Sequence, residues 1–219
     1  MHIVAISDTH NKHEKIVIPE CDLLIHAGDA SFNGTDSELT KFAEWLHKQP
    51  AKYKIFVPGN HEEGLEKDWE KGTRLLIEGC PDLIILNDSG ITLDGVKIWG
   101  SPITPWFHDW AWNRRRYEIN VHWDQIPTGT NILITHGPPQ CILDRLHSID
   151  GTPKGAWAGC PYLRQKIREV KPDLHIFGHI HYHGGNREHQ EGTSFYNVAI
   201  CDEMYAPTNP VTEIEYYLD

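Results

Sequence analysis

Leu23-Leu24-Ile25-His26-Ala27-Gly28-Asp29 closes a short apolar run on a turn-forming glycine and a carboxylate. Its length and composition predict a buried strand, and Gly28 lets the backbone turn and approach a ligand closely. One strand ending in an Asp turn is commonplace. The pattern decides the fold because it recurs. Strand-like residues 3–7 run into Asp8-Thr9-His10, and 53–57 into Pro58-Gly59-Asn60-His61. Residues 131–135 run into His136-Gly137-Pro138-Pro139, and 174–177 into Gly178-His179-Ile180-His181. All five ends carry metal-binding residue types, and the carboxyl ends of strands are where α/β proteins hold ligands.

The intervening segments fit that reading. Thr35-Asp36-Ser37-Glu38 predicts a capping box, with Leu39, Phe42, Ala43 and Leu46 at helical spacing behind it. Residues 62–78 are polar and partly helical. Residues 91–93 and 96–100, joined by Asp94-Gly95, predict a hairpin. An aromatic and basic loop covers 106–116, a glycine-rich loop covers 151–159, and a helix starts near Pro161. Residues 83–86, 194–198 and 213–217 complete the strands. Strands alternate with helices first and come as hairpins later, which predicts α/β architecture with a mixed sheet or a two-sheet sandwich.

At 219 residues and 39% hydrophobic, the chain is long enough for a full core and predicts a single domain over 1–219. Met1-His2 leads directly into a strand rather than a signal peptide, and no apolar run spans a bilayer. The five cysteines are odd in number and lack a C-x-x-C pair, which fits a reducing cytoplasm. A formal charge of −11 argues against stable nucleic-acid binding but allows a small phosphorylated substrate. His26 and His175 lie in apolar runs and are read as buried structural residues.

Asp, Asn and His without thiolate suit Mn, Fe, Zn or Ni. The ligands are too many for one ion, and two ions sharing Asp29 account for them. A pair about 3.5–4 Å apart is a standard device for hydrolysing phosphate esters, because it acidifies water and offsets charge on the phosphoryl oxygens.

Asp8-x-His10, Gly28-Asp29, Gly59-Asn60-His61-Glu62, His136 and Gly178-His179-x-His181 together resemble the motif set of the calcineurin-like metallophosphoesterases. The resemblance implies a two-sheet β-sandwich flanked by helices. It also implies that Asp8, His10 and His181 hold one divalent transition metal and Asn60, His136 and His179 the other, with Asp29 bridging. Mn2+ is the favoured ion. His61 would stand beside the metals as the catalytic residue, stabilising the transition state or protonating the leaving oxygen. Departures narrow the class. The arginines of the protein Ser/Thr phosphatases are missing around Gly28–Gly34 and at Pro58. Phe32 replaces the tyrosine ligand of purple acid phosphatases, and it also removes an acid that orients the catalytic histidine in some relatives, so the sequence does not name the partner of His61.

Gly100-Ser101-Pro102, Pro105-Trp106-Phe107, Asp109-Trp110-Ala111-Trp112-Asn113, His136-Gly137-Pro138-Pro139, Asn197-Val198-Ala199-Ile200-Cys201 and Pro207-Thr208-Asn209-Pro210 are similar to the MPPED-type subgroup. That similarity implies a phosphodiesterase acting on small phosphodiesters, cyclic nucleotides among them. A phosphomonoesterase on the same metal core, a non-catalytic scaffold and a nuclease are the alternatives. Trp106, Trp110 and Arg114 are candidate substrate contacts, the aromatics for stacking and the arginine for phosphate. A core or interface role for the aromatics is the competing reading.

Overall fold

Along His2–Ile6 (β1), Ile3 and Ala5 face one hydrophobic core while Val4 and Ile6 face another. Strands apolar on both sides belong in the middle of a layered fold. The computed structural model describes residues 1–148 and 151–218. After β1 come β2 (Cys21–His26), α1 (Asp36–His47), β3 (Ala51–Phe56), α2 (Glu63–Lys67), α3 (Trp69–Gly79) and β4 (Leu83–Ile85). The hairpin β5 (Ser89–Leu93) and β6 (Val96–Ser101) is followed by two short strands, β7 (Thr104–Pro105) and β8 (Asn113–Arg114). Then follow α4 (Asn120–Trp123), β9 (Ile132–Thr135), β10 (Arg145–His147), β11 (Pro153–Trp157) and α5 (Pro161–Val170). The chain finishes with β12 (Leu174–Phe177), β13 (Arg187–Gln190), β14 (Thr193–Asn197) and β15 (Thr212–Glu215).

These strands build two main sheets, ordered β15-β1-β2-β3-β4 and β13-β14-β12-β9-β6-β5. Between the sheets lies one core, with Ile3, Ile25 and Ile55 meeting Ile98, Ile134 and Ile176. Helices cover the outer faces, as Leu39, Phe42 and Leu46 of α1 pack in the cluster that holds Val4, Leu24 and Phe56. The sandwich and its flanking helices are therefore as the sequence implied. β1 to β4 run parallel, as do β6, β9, β12 and β14. A parallel bridge between Ser7 and Ala199 ties the two sheets at their carboxyl ends. Among the described residues no helix is long and apolar enough to cross a membrane.

Several local expectations need correction. Residues 153–157 are not a loop but β11, paired antiparallel with β10. The segment 106–116 contributes β8, paired parallel with β7. The stretch expected to be partly helical is so, with helices at Glu63–Lys67 and Trp69–Gly79 broken at Asp68, whose side chain accepts from Lys71 N and caps the second. The polar strand β13 carried no apolar signal.

His26 and His175 are both fully buried. Their Nε2 atoms lie 3.0 Å from the Thr9 hydroxyl and 2.8 Å from the Thr135 hydroxyl, respectively. Each threonine stands beside a candidate ligand, so each imidazole braces a site loop. Burial pushes both rings down to about 3 from 6.5. The unfolded chain therefore binds protons that the folded chain refuses. Each ring's contribution is intact above pH 6.5 and is withdrawn as pH falls toward 3. In metal-free protein, His175→Gln is expected to flatten the loss of unfolding free energy on acidification, by up to about 1.4 kcal/mol per pH unit, and with it the fall in Tm. A melting series from pH 7 to 4 measures it, and parallel curves for the two proteins would contradict it.

Candidate metal centre

Every candidate ligand leaves the carboxyl end of a strand: Asp8 and His10 after β1, Asp29 after β2, Asn60 after β3, His136 after β9, His179 and His181 after β12. The backbone turns sharply to present them. Asp8, His10, Asp29 and His179 all adopt positive φ, between 39° and 69°. Such conformations are costly for residues with a side chain and are held by the surroundings. Gly59 and Gly178 answer the close packing. A Cβ on Gly59 would collide with the Asp29 carboxylate, and one on Gly178 with Ser7 and the Asp8 carboxylate.

The seven side chains converge. Asp8, His10 and His181 place ligand atoms within 4.8 Å of one another, as do Asp29, His136 and His179. His181 Nε2 is 3.3 Å from Asp8 Oδ1, and His136 Nε2 is 3.3 Å from Asp29 Oδ2. Asn60 Oδ1 joins the second group at 2.9 Å from His136 Nε2. Asp29 sits between the groups, with Oδ2 also 3.9 Å from His10 Nε2.

The imidazoles are aimed from behind. Nδ1 of His10, His136 and His181 donates to the carbonyls of Ser31, Ala27 and Asp202 at 3.2, 2.9 and 2.9 Å. In the neutral rings this fixes the proton on Nδ1 and turns the Nε2 lone pair inward. His10 Nε2 and His181 Nε2 then face each other at 3.2 Å. Two lone pairs that close need a cation between or upon them. His136 and His181 are pushed up to about 9, against the effect of burial, by Asp29 and Asp8. Burial pushes His10 down to about 4 and His179 to about 3. Asp29 and Asp8 are held below the usual carboxylate range despite burial, by His136 and His181. An inward cluster of nitrogen and carboxylate donors, with tautomers set for ligation, fits two borderline divalent cations.

His61 stands at the edge of this group, its Nε2 4.0 Å from Asp29 Oδ2. Its orientation comes from an unforeseen source, since Nδ1 donates to the Phe32 carbonyl at 2.8 Å. Phe32 N in turn donates to Glu38, the carboxylate that caps α1. The Trp110 ring meets His61 edge-on at 4.1 Å. Glu62, buried beneath, accepts from the backbone N–H groups of Asp29, Ser31 and Gly59 at 2.9, 3.0 and 2.7 Å. It locks the loops after β2 and β3 together. The Gly-Asn-His-Glu run held that signal, a carboxylate directly following the ligand loop.

A cleft of about 260 Å3 opens over Asp29, Asn60, His61, His179 and His181, and Trp110 and Phe107 help wall it. Trp106 does not line it and is half exposed. Arg114 is also absent from the cleft: its guanidinium is paired with Glu66 at 2.9 Å. Tyr205, unnoticed in the sequence, packs its ring edge against His10 and His181 at 4.8 and 5.3 Å.

Comparison with known proteins agrees with this geometry. The chain is 37% identical over 237 aligned positions to human metallophosphoesterase domain-containing protein 1, covering 97% of this chain and 70% of the relative. Among solved structures it resembles phosphopantetheinyl hydrolase of Mycobacterium tuberculosis, with TM-score 0.62, 16% identity and coverage of 97% and 95% of the two chains. It also resembles TT1561 of Thermus thermophilus, with TM-score 0.58, 13% identity and coverage of 90% and 89%. At those identities the likeness speaks for the fold. The sequence model of the calcineurin-like phosphoesterases matches residues 1–183, a span that ends just beyond His181. A match over most of the chain, with every motif strand delivering its side chain to one point, makes this protein a member of the calcineurin-like phosphoesterase family.

Proposed function

We propose that this chain, as a single metallophosphoesterase domain, hydrolyses small phosphodiesters with two divalent transition metals, Mn2+ favoured. Asp8, His10 and His181 hold one ion, Asn60, His136 and His179 the other, and Asp29 both. One observation carries the reading: Nε2 atoms with their Nδ1 protons spent on carbonyls point at each other and at carboxylates. The bound ions supply an acidified water and offset charge on the phosphoryl oxygens. His61, its Nδ1–H held by the Phe32 carbonyl, carries a second proton on Nε2, gives it to the leaving oxygen and is left as neutral imidazole. The buried Glu62, bonded to Asp29 N and Gly59 N, and the bond from His61 N to Asp29 Oδ1 keep the His61 loop in register with Asp29.

Preference for diesters rests on charge. A monoester dianion calls for more cationic partners than a diester, and among the described residues Lys154 is the only Lys or Arg lining the cleft. Cysteine usage supports a cytoplasmic setting. With Mn2+ supplied, bis(p-nitrophenyl) phosphate and cyclic nucleotides are expected to turn over faster than p-nitrophenyl phosphate. A faster monoester would make this a phosphomonoesterase, and no hydrolysis at all would make it a scaffold.

A further inference from the structure

β10 and β11 form a two-stranded arm with almost no core of its own, since all five residues of β11 are exposed. An isolated hairpin of this size is marginal in water, so its attachments indicate what it is held for. At its base the buried Asp144 carboxylate accepts from Cys141 N and Gly159 N, at 3.0 and 3.1 Å. Midway, the His147 ring stacks on Tyr182, with centroids 3.6 Å apart and planes 14° apart. His183 Nε2 meets the Arg145 carbonyl at 3.2 Å. Tyr182 and His183 follow the ligand His181 directly, so the arm is pinned to the metal loop. Its inner side, Leu146, His147 and Lys154, forms one wall of the cleft.

Within that wall Lys154 stands apart chemically. Its side-chain ammonium carries no hydrogen bond or ion pair among the described residues. None of the three arginines at 114–116 lines the cleft; Arg114 pairs with Glu66 and Arg116 reaches the Gly159 carbonyl. In a chain of net charge −11, an ammonium facing a metal-binding cleft is a local attraction for anions.

We propose that Lys154 is a specificity residue: it selects phosphoesters that carry a second anionic group, a carboxylate or a further phosphate, beyond the phosphoryl group under attack. This rests on the phosphoesterase reading above. The second anion extends along the arm, away from the metals, and pairs with the ammonium, while His147 and Tyr182 hold the arm in place. The contribution is to binding rather than to bond cleavage, so it belongs in KM.

Three p-nitrophenyl diesters test it with the Mn2+-loaded enzyme, differing only in the second alkyl group: ethyl, 2-carboxyethyl and 2-phosphonooxyethyl. Wild type is expected to show KM lower by about fivefold for at least one anionic ester, the worth of one exposed ion pair. Whether the carboxylate or the phosphate gains more identifies the anion. Lys154→Ala should erase the KM difference between the anionic and ethyl esters, and Lys154→Arg should restore most of it. Equal KM values across the series in wild type, or a preference that survives Lys154→Ala, would overturn the assignment. If none of the three esters is hydrolysed, the phosphoesterase reading falls and this inference with it.

Discussion

His61→Ala is expected to keep its metals and lose about 10²- to 10⁴-fold in kcat, the usual range for a positioned acid or base. The geometry separates the two outcomes. The pairs His181–Asp8 and His136–Asp29 each pack at 3.3 Å without involving His61, which lies 4.0 Å from the shared carboxylate. Removing the ring therefore leaves both ligand groups assembled. Proton delivery matters most for a poor leaving group, so the loss should be steeper for an alkyl ester than for a p-nitrophenyl ester. An unchanged rate on the alkyl ester would remove His61 from the mechanism. Loss of metal together with rate would instead make it a ligand.

Asp29 should behave in the opposite way. Its Oδ2 faces His136 and His10, its Oδ1 accepts from His61 N, and its own N–H is held by Glu62. Asp29→Ala removes the side chain that lies between the two groups and releases the backbone of His61. Metal affinity is expected to fall more than about 100-fold, beyond what is typical for residues that merely orient ligands, and turnover with it. Asp29→Asn keeps the shape and an acceptor for His61 N but loses the charge. It should fold with a near-normal melting profile and still fail to retain metal through desalting. Two firmly held ions in Asp29→Asn would rule out the bridging role.

The elements that the sequence announced are those whose physics is local. A run such as residues 23–27 ending in Gly28-Asp29 declares a buried strand and its terminal ligand together, and Thr35 with Glu38 caps α1 as their spacing required. The candidate ligands shared that advantage, since each stands at the end of an apolar run. Interactions between distant segments were hidden. Nothing near His61 says that the Phe32 carbonyl orients it, because a main-chain partner leaves no residue-type signal. Nothing near Arg114 says that it pairs with Glu66, 48 positions earlier. The strand β11 reads Pro153-Lys154-Gly155-Ala156-Trp157, with glycine and proline arguing for a loop, and it is a strand only through pairing with β10. Lys154 was invisible for the same reason, since only the arm carries it to the cleft.

Metal counting on the intact protein bears most directly on the whole account. Saturated with Mn2+, freed of unbound ion by rapid desalting and analysed by inductively coupled plasma mass spectrometry, the wild-type chain should retain two manganese ions per polypeptide. Retention of one ion or none under the same saturation would contradict a shared dinuclear centre built on Asp29.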